Sequence, residues 1–127
     1  MIEGFEEFTK NVKEHEIPTV KLIAKGLNGR IGIKNAIKSS EICDALLIHS
    51  GIKINDAKLR RYVQYIRAYG LCSMLCGSKK GYYIAENKEE WIKYREAFRT
   101  RITSMTFTML CMDNDVITSN VLNQNQQ

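Results

Sequence analysis

Long apolar runs, histidine and proline are all scarce in this chain of 127 residues, and each scarcity removes a class of protein. No stretch approaches the roughly 18 apolar residues of a membrane-spanning helix. The opening stretch MIEGFEEFTKNVKEHE is acidic, where a secretory signal needs a basic start and an apolar run. A soluble protein of the cytoplasm, or of the nucleus in a eukaryote, is therefore expected. His15 and His49 are the only histidines, and neither has a serine or acidic partner at a recognisable catalytic spacing. Asp113 and Asp115 stand in a polar tail where solvation is the ordinary state. No enzymatic activity is expected.

Cysteine is too sparse for a disulfide framework. Cys43, Cys72, Cys76 and Cys111 accompany an apolar fraction of 44%, enough for a core that needs no covalent staples. Cys72 and Cys76 have the spacing C-x3-C, but no second Cys or His pair follows them. They are expected to be buried or half-buried thiols, with no metal and no cofactor. The glycine run G26-L-N-G29-R-I-G32 lacks the G-K-[ST] of a phosphate loop and the G-x-G-x-x-G of a dinucleotide site. Its G-x-x-G with Arg30 lacks, on one side, the apolar frame that a nucleic-acid clamp of the KH type needs, so it reads as a loop.

What the chain does have is an uneven distribution of charge. The formal net charge is +5. Residues 1–17 carry Glu3, Glu6, Glu7, Glu14 and Glu16 against two lysines, whereas most basic residues fall between Lys53 and Arg101. A basic half suits a polyanionic partner.

Hydrophobic periodicity then divides the chain into elements. Ile2, Phe5, Phe8 and Val12 predict an amphipathic helix over residues 3–14, within an N-terminal segment 1–17. Pro18 marks a break, and a short helix over 19–25 would bury Val20, Leu22 and Ile23. Ser39 or Ser40 can cap a helix to about His49, with Ile42, Cys43, Leu46 and Leu47 as its buried stripe and Gly51 as its stop. Asn55 or Asp56 caps the next helix, over 56–69, whose apolar face is Leu59, Val63, Ile66 and Tyr62 or Tyr69. Two capped helices joined by a short glycine-bearing turn form a helix-turn-helix unit.

After Gly70 the period changes to two. Residues 71–76 and 82–85 predict strands joined by G77-S-K-K-G81, a hairpin with a doubly basic tip. A hairpin directly behind a basic helix is the order of a winged helix. Asn87 and Glu90 then form a capping box that opens a long helix over 87–112. Trp91, Tyr94, Phe98, Ile102, Met105, Met109 and Met112 recur along it at intervals of 3 or 4. Residues 113–127 are polar and predict a frayed tail. The expected fold class is α+β, mainly helical, with residues 18–86 as a winged helix-turn-helix domain.

The stretch A57-K-L-R-R-Y-V-Q-Y-I-R-A-Y-G70, with a hairpin closing on K80-G81-Y82, resembles the winged helix-turn-helix of the biotin-operon repressor class. It is also similar to small winged-helix proteins of phages and mobile elements, through L-R-x-x-V-x-x-I-R and G-Y-Y-I-A. The resemblance covers residues 37–86 and implies a DNA-binding fold. The turn between the helices and the hairpin are both longer than in the minimal pattern. Nothing resembles the ligase domain that supplies such a repressor with its effector.

Double-stranded DNA is therefore the expected partner. Lys58, Arg60, Arg61, Gln64 and Tyr65 stand on the outer side of helix 56–69, where such side chains meet base edges, sugars or phosphates in a major groove. Asn55 sits at the helix start, near phosphate or simply as a cap. Ser78, Lys79 and Lys80 would follow the neighbouring minor groove or backbone. Arg67 has Glu41 or Glu86 as alternative partners within the fold. Phe98, Ile102, Met105, Met109 and Met112 form the candidate dimer seam, and a two-fold dimer suits a pseudo-palindromic site with helices in successive major grooves. The alternative is that Trp91 and Phe98 fold back on residues 19–50 while the methionines fill gaps. The competing expectation is an adaptor that docks another protein. It is distinguished by whether residues 1–17 cover Lys58, Arg61, Gln64, Lys79 and Lys80.

Overall fold

A computed structural model describes residues 11–125 of the chain. Among them are four α-helices and one two-stranded antiparallel hairpin, a mainly helical α+β arrangement. The helices are α1 (Ile17–Leu27), α2 (Ser39–Ser50), α3 (Asp56–Ala68) and α4 (Lys88–Asn125), and the strands are β1 (Leu75–Ser78) and β2 (Gly81–Ile84). Short 3-10 turns lie at Glu14–Glu16 and Ile33–Asn35. The chain divides into two compact units, one ending at Trp91 and the other beginning at Ile92.

The core of the first unit forms where α1, α2 and α3 meet the hairpin. Val20, Ile23, Ala24 and Leu27 give α1 its buried stripe at helical spacing. Leu59, Tyr62, Val63 and Ile66 do the same for α3, with Leu59 and Ile66 fully buried. Burying each aliphatic side chain of this size stabilises the fold by about 1.5–3 kcal/mol. Leu75 and Ile84 close the core from the hairpin side.

The local signals at the helix ends act as the sequence implies. Pro18 sits in the first turn of α1, where its missing N–H costs nothing. Gly51 ends α2 in the left-handed region at φ 66°, and Asn55 caps α3 by accepting the Lys58 N–H at 2.8 Å. At the start of α4, Asn87 Oδ1 accepts the Glu90 N–H at 2.8 Å. Only this half of the expected capping box forms among the described residues, and Glu90 Oε1 is buried without a hydrogen-bond partner.

Other expectations are corrected. Neither serine caps α2: Lys38 holds that position, and Glu41 Oε1 accepts its N–H at 3.2 Å. Ile42 and Leu46 are buried on α2, but Leu47 is 49% exposed and Cys43 half-buried, because α2 packs chiefly on α3 through one narrow face. Leu22 is likewise exposed on α1. On α3 it is Tyr62 and not Tyr69 that joins the buried face. Residues 71–74 are not strand: Met74 has a left-handed φ of 56°, which breaks the extended backbone before β1. The strands pair Leu75 with Ile84 and Ser78 with Gly81, so the connection shrinks to Lys79 and Lys80. Helix α4 continues beyond Met112 through Asn125, since no glycine or proline follows Gly81 to interrupt it. Most of the helix predicted over 3–14 lies outside the described residues. Of its end, residues 11–13 are non-helical and Glu14 begins the 3-10 turn.

A third segment joins the hairpin. Ile37 and Tyr82 exchange backbone hydrogen bonds of 2.8 and 2.9 Å, and Ile31 bridges Ile84. This fixes the hairpin against the chain entering α2. Gly81 lies at the contact with φ 118°, and a Cβ there would stand 2.2 Å from the Ile37 carbonyl oxygen. Only glycine fits.

Candidate nucleic-acid interface

Helix α3 has three non-core sides, and each has a different environment. On one flank, Lys58 Nζ lies 3.3 Å from Glu16 Oε2, and the Tyr62 hydroxyl donates to the same carboxylate. The Lys13 N–H donates to Glu16 Oε1 at 3.2 Å. Glu16 is buried, yet the Tyr62 hydrogen bond outweighs burial and holds its carboxyl below the usual range, with help from Lys13 and Lys58. Tyr65 is half-buried on this side and stacks on Tyr69 with ring centroids 4.2 Å apart. Burial pushes its phenol up.

The opposite flank faces the hairpin. Arg60 Nη2 bonds Asp56 Oδ2 at 2.7 Å, one turn earlier. Arg67 Nη2 donates to the Leu75 carbonyl at 3.1 Å, which links α3 to β1. Tyr82 on β2 is half-buried nearby, and burial raises its phenol despite the opposing charge of Arg67. Between the flanks, the outer face presents Arg61 and Gln64, both exposed and without a side-chain partner among the described residues.

The hairpin tip projects beside the N-terminus of α3. Ser78 Oγ accepts the Lys80 N–H at 3.1 Å, which tightens the two-lysine turn, and Ser78, Lys79 and Lys80 are all exposed. An open cleft of about 620 Å³ separates the tip from the starts of α2 and α3. Lys38, Ser39, Ser40, Asn55, Ser78 and Lys79 are among its lining residues. Two helix N-termini open into it, so backbone dipoles and two lysines make its rim favourable for anions. Asp44 and Asp56, also in the lining, offset part of that potential.

The predicted contact residues thus separate into two groups. Arg61, Gln64, Lys79 and Lys80 are exposed, with no side-chain partner among the described residues. Lys58 is paired with Glu16, Arg60 with Asp56, and Asn55 is occupied as a cap. Tyr65 is half-buried against Tyr69, and the Ser78 hydroxyl, though exposed, is engaged within the tip. Among the described members of segment 1–17, Glu16 reaches α3 only at its Lys58 flank. Lys38 was not foreseen at the cleft. Its only sequence signal is a basic residue directly before a helix. Val116 was also missed, although it continues the apolar stripe of α4 four residues beyond Met112.

Cys72 and Cys76 are buried, their thiols pushed up by burial, and they donate to the carbonyls of Ala24 and Met74. Among the described residues no group of three or more His, Cys, Asp or Glu could hold a metal ion. None of the described helices is long and apolar enough to cross a membrane. No protein-family model matches the chain, and no curated protein or solved structure matches it.

Proposed function

We propose that the chain is a cytoplasmic, sequence-specific double-stranded DNA-binding protein of the winged helix-turn-helix type. In this reading α3 enters the major groove and the tip Ser78–Lys80 lies along the backbone or adjacent minor groove. The observation that carries it is the placement of Arg61 and Gln64 on the outer face of α3, exposed and without a side-chain partner among the described residues, with two exposed lysines on the adjoining hairpin. Arg61 suits a guanine edge or a phosphate, and Gln64 suits adenine. Lys79 and Lys80 supply sequence-independent affinity, with Lys38 and the two helix N-termini nearby. The role is regulation of transcription or of phage or plasmid replication. Pairing of two copies through α4 matches a pseudo-palindromic site.

A specific feature favours the alternative of a protein-binding adaptor. An apolar cleft of about 260 Å³ lies between α1 and α2, lined by Leu22, Leu27, Ile37, Leu46 and His49 among others. Selection from a random duplex pool at roughly 50 mM salt separates the two readings. Recovery of a shared sequence motif is expected for a DNA reader. Failure to retain any duplex at that salt contradicts it.

A further inference from the structure

Helix α4 beyond Trp91 forms a unit of its own, and its apolar stripe is uncovered. Phe98, Ile102, Met105, Met109, Met112 and Val116 are each between 43% and 72% exposed. Their spacing of 4, 3, 4, 3 and 4 residues places them at the two core positions of a heptad. From Phe98 to Val116 this stripe is about 27 Å long.

The stripe reads alike from both ends about Phe107. Met105 mirrors Met109, Ile102 mirrors Met112 and Phe98 mirrors Val116, each pair equidistant from residue 107. Opposite charges border its two ends. Arg99 and Asp113 lie 14 residues apart, two full heptads, and therefore share one flank. Arg101 and Asp115 share the other in the same way. All four are exposed, and the Arg101 guanidinium leans over the Phe98 ring at 5.0 Å, at the margin of the stripe.

Direction follows from these flanks. The two-fold axis of an antiparallel pair lies perpendicular to both helices, so it reverses their direction and keeps each flank on its own side. Residues at the same flanking position then face each other across the pair. Arg99 meets Asp113 of the second copy and Arg101 meets its Asp115, with both contacts repeated by symmetry. A parallel, in-register pair instead brings opposite flanks together and sets Arg101 against Thr106 and Asp113 against Thr108. It forms no opposite-charge pair. Flanking charges of this kind set the orientation of paired helices.

We infer that α4 binds a second copy of itself in antiparallel orientation, with the two-fold axis at the level of Phe107. The inference rests on the dimer reading above and adds its direction and register.

Crosslinking of the full chain tests it. In a Cys43→Ser/Cys111→Ser background, one preparation carries Phe98→Cys and another Val116→Cys, and both are oxidised mildly, alone and mixed. The antiparallel pair gives a covalent dimer in the mixture. Neither preparation links to itself, because its two new thiols lie about 27 Å apart, far beyond disulfide reach. Self-linking of each preparation, without preference for the mixed product, overturns the inference and leaves the dimer reading intact. A monomer in sedimentation equilibrium overturns both, while DNA binding is read separately by titration. A second series guards against a seam damaged by cysteine. Arg99→Asp/Arg101→Asp should raise the dimer dissociation constant roughly tenfold or more, and adding Asp113→Arg/Asp115→Arg should restore it. No weakening, or no rescue, also overturns the antiparallel register.

Discussion

The hydroxyl of Tyr62 donates to the buried carboxylate of Glu16, 46 residues earlier in the chain. With the Lys58 ammonium 3.3 Å from the same carboxylate, this contact ties the segment before α1 to one flank of α3. It also makes stability depend on pH from both sides. Glu16 is held below its usual value of 4.5, chiefly by the Tyr62 hydrogen bond. Its contribution is therefore present above pH 4.5 and lost as pH falls through its lowered pKa. Tyr62 is raised above its usual value of 10.0 by burial and by Glu16, so its contribution is present below pH 10.0 and lost above it. Glu16→Gln is expected to cost about 1–3 kcal/mol at neutral pH. In urea titrations, the gap between this variant and the parent chain should close as pH drops below 4.5. A gap that stays constant to pH 2 or so would show that ionised Glu16 does not stabilise the fold.

Gly81 is the position where the fold tolerates substitution least. Gly81→Ala adds left-handed strain of about 1–2 kcal/mol and an atom that must displace the Ile37 carbonyl, a further 1–3 kcal/mol or so. A fall in the urea midpoint corresponding to about 2–5 kcal/mol is expected. Gly26→Ala is the control, since a Cβ at Gly26 meets nothing within 4 Å and alanine favours the helix.

The tip and the outer face of α3 should fail in different ways. Lys79→Ala/Lys80→Ala is expected to weaken binding to every duplex about evenly and to flatten the salt dependence by roughly one to two in slope. Arg61→Ala or Gln64→Ala should cost about 1–3 kcal/mol, mainly on the preferred sequence. Binding titrations at several salt concentrations with preferred and scrambled duplexes separate the two effects. Equal losses on all sequences from all these changes would remove α3 from the role of reader.

Thiol reactivity checks the burial of the cysteines. Exposed Cys111 should react with a disulfide reagent first, half-buried Cys43 more slowly, and Cys72 and Cys76 only as the fold opens. Cys111→Ser should abolish the fast phase. A fast phase that survives this change and also survives Cys43→Ser would mean that Cys72 or Cys76 is accessible.

How far the sequence speaks for the structure varies with the range of the interaction. Pro18, Gly51, Asn55 and Asn87 mark helix ends through contacts with residues a few positions away, and such contacts are written in local sequence. The stripe Leu59, Val63 and Ile66 is legible because periodicity alone selects a buried face. The exposure of Leu47 is not legible, because it depends on how little of α2 its neighbours cover. The same holds for the partnership of Lys58 with Glu16, which removed one expected contact residue from the free surface. The Ile37–Tyr82 bridge pairs residues 45 positions apart, and nothing in either local pattern announces the other. The polar composition after Met112 suggested a frayed end, but composition breaks a helix less reliably than glycine or proline, and neither occurs there.

The most direct measurement is fluorescence anisotropy of labelled random duplex titrated with the full chain at several salt concentrations, beside an Arg61→Ala/Lys79→Ala/Lys80→Ala variant. Binding that weakens steeply with salt and is lost in the variant is the expected result, because the uncovered face of α3 and the hairpin tip then supply the phosphate contacts. Absence of binding by the parent chain at roughly 50 mM salt, or equal binding by the variant, would contradict DNA recognition through this surface.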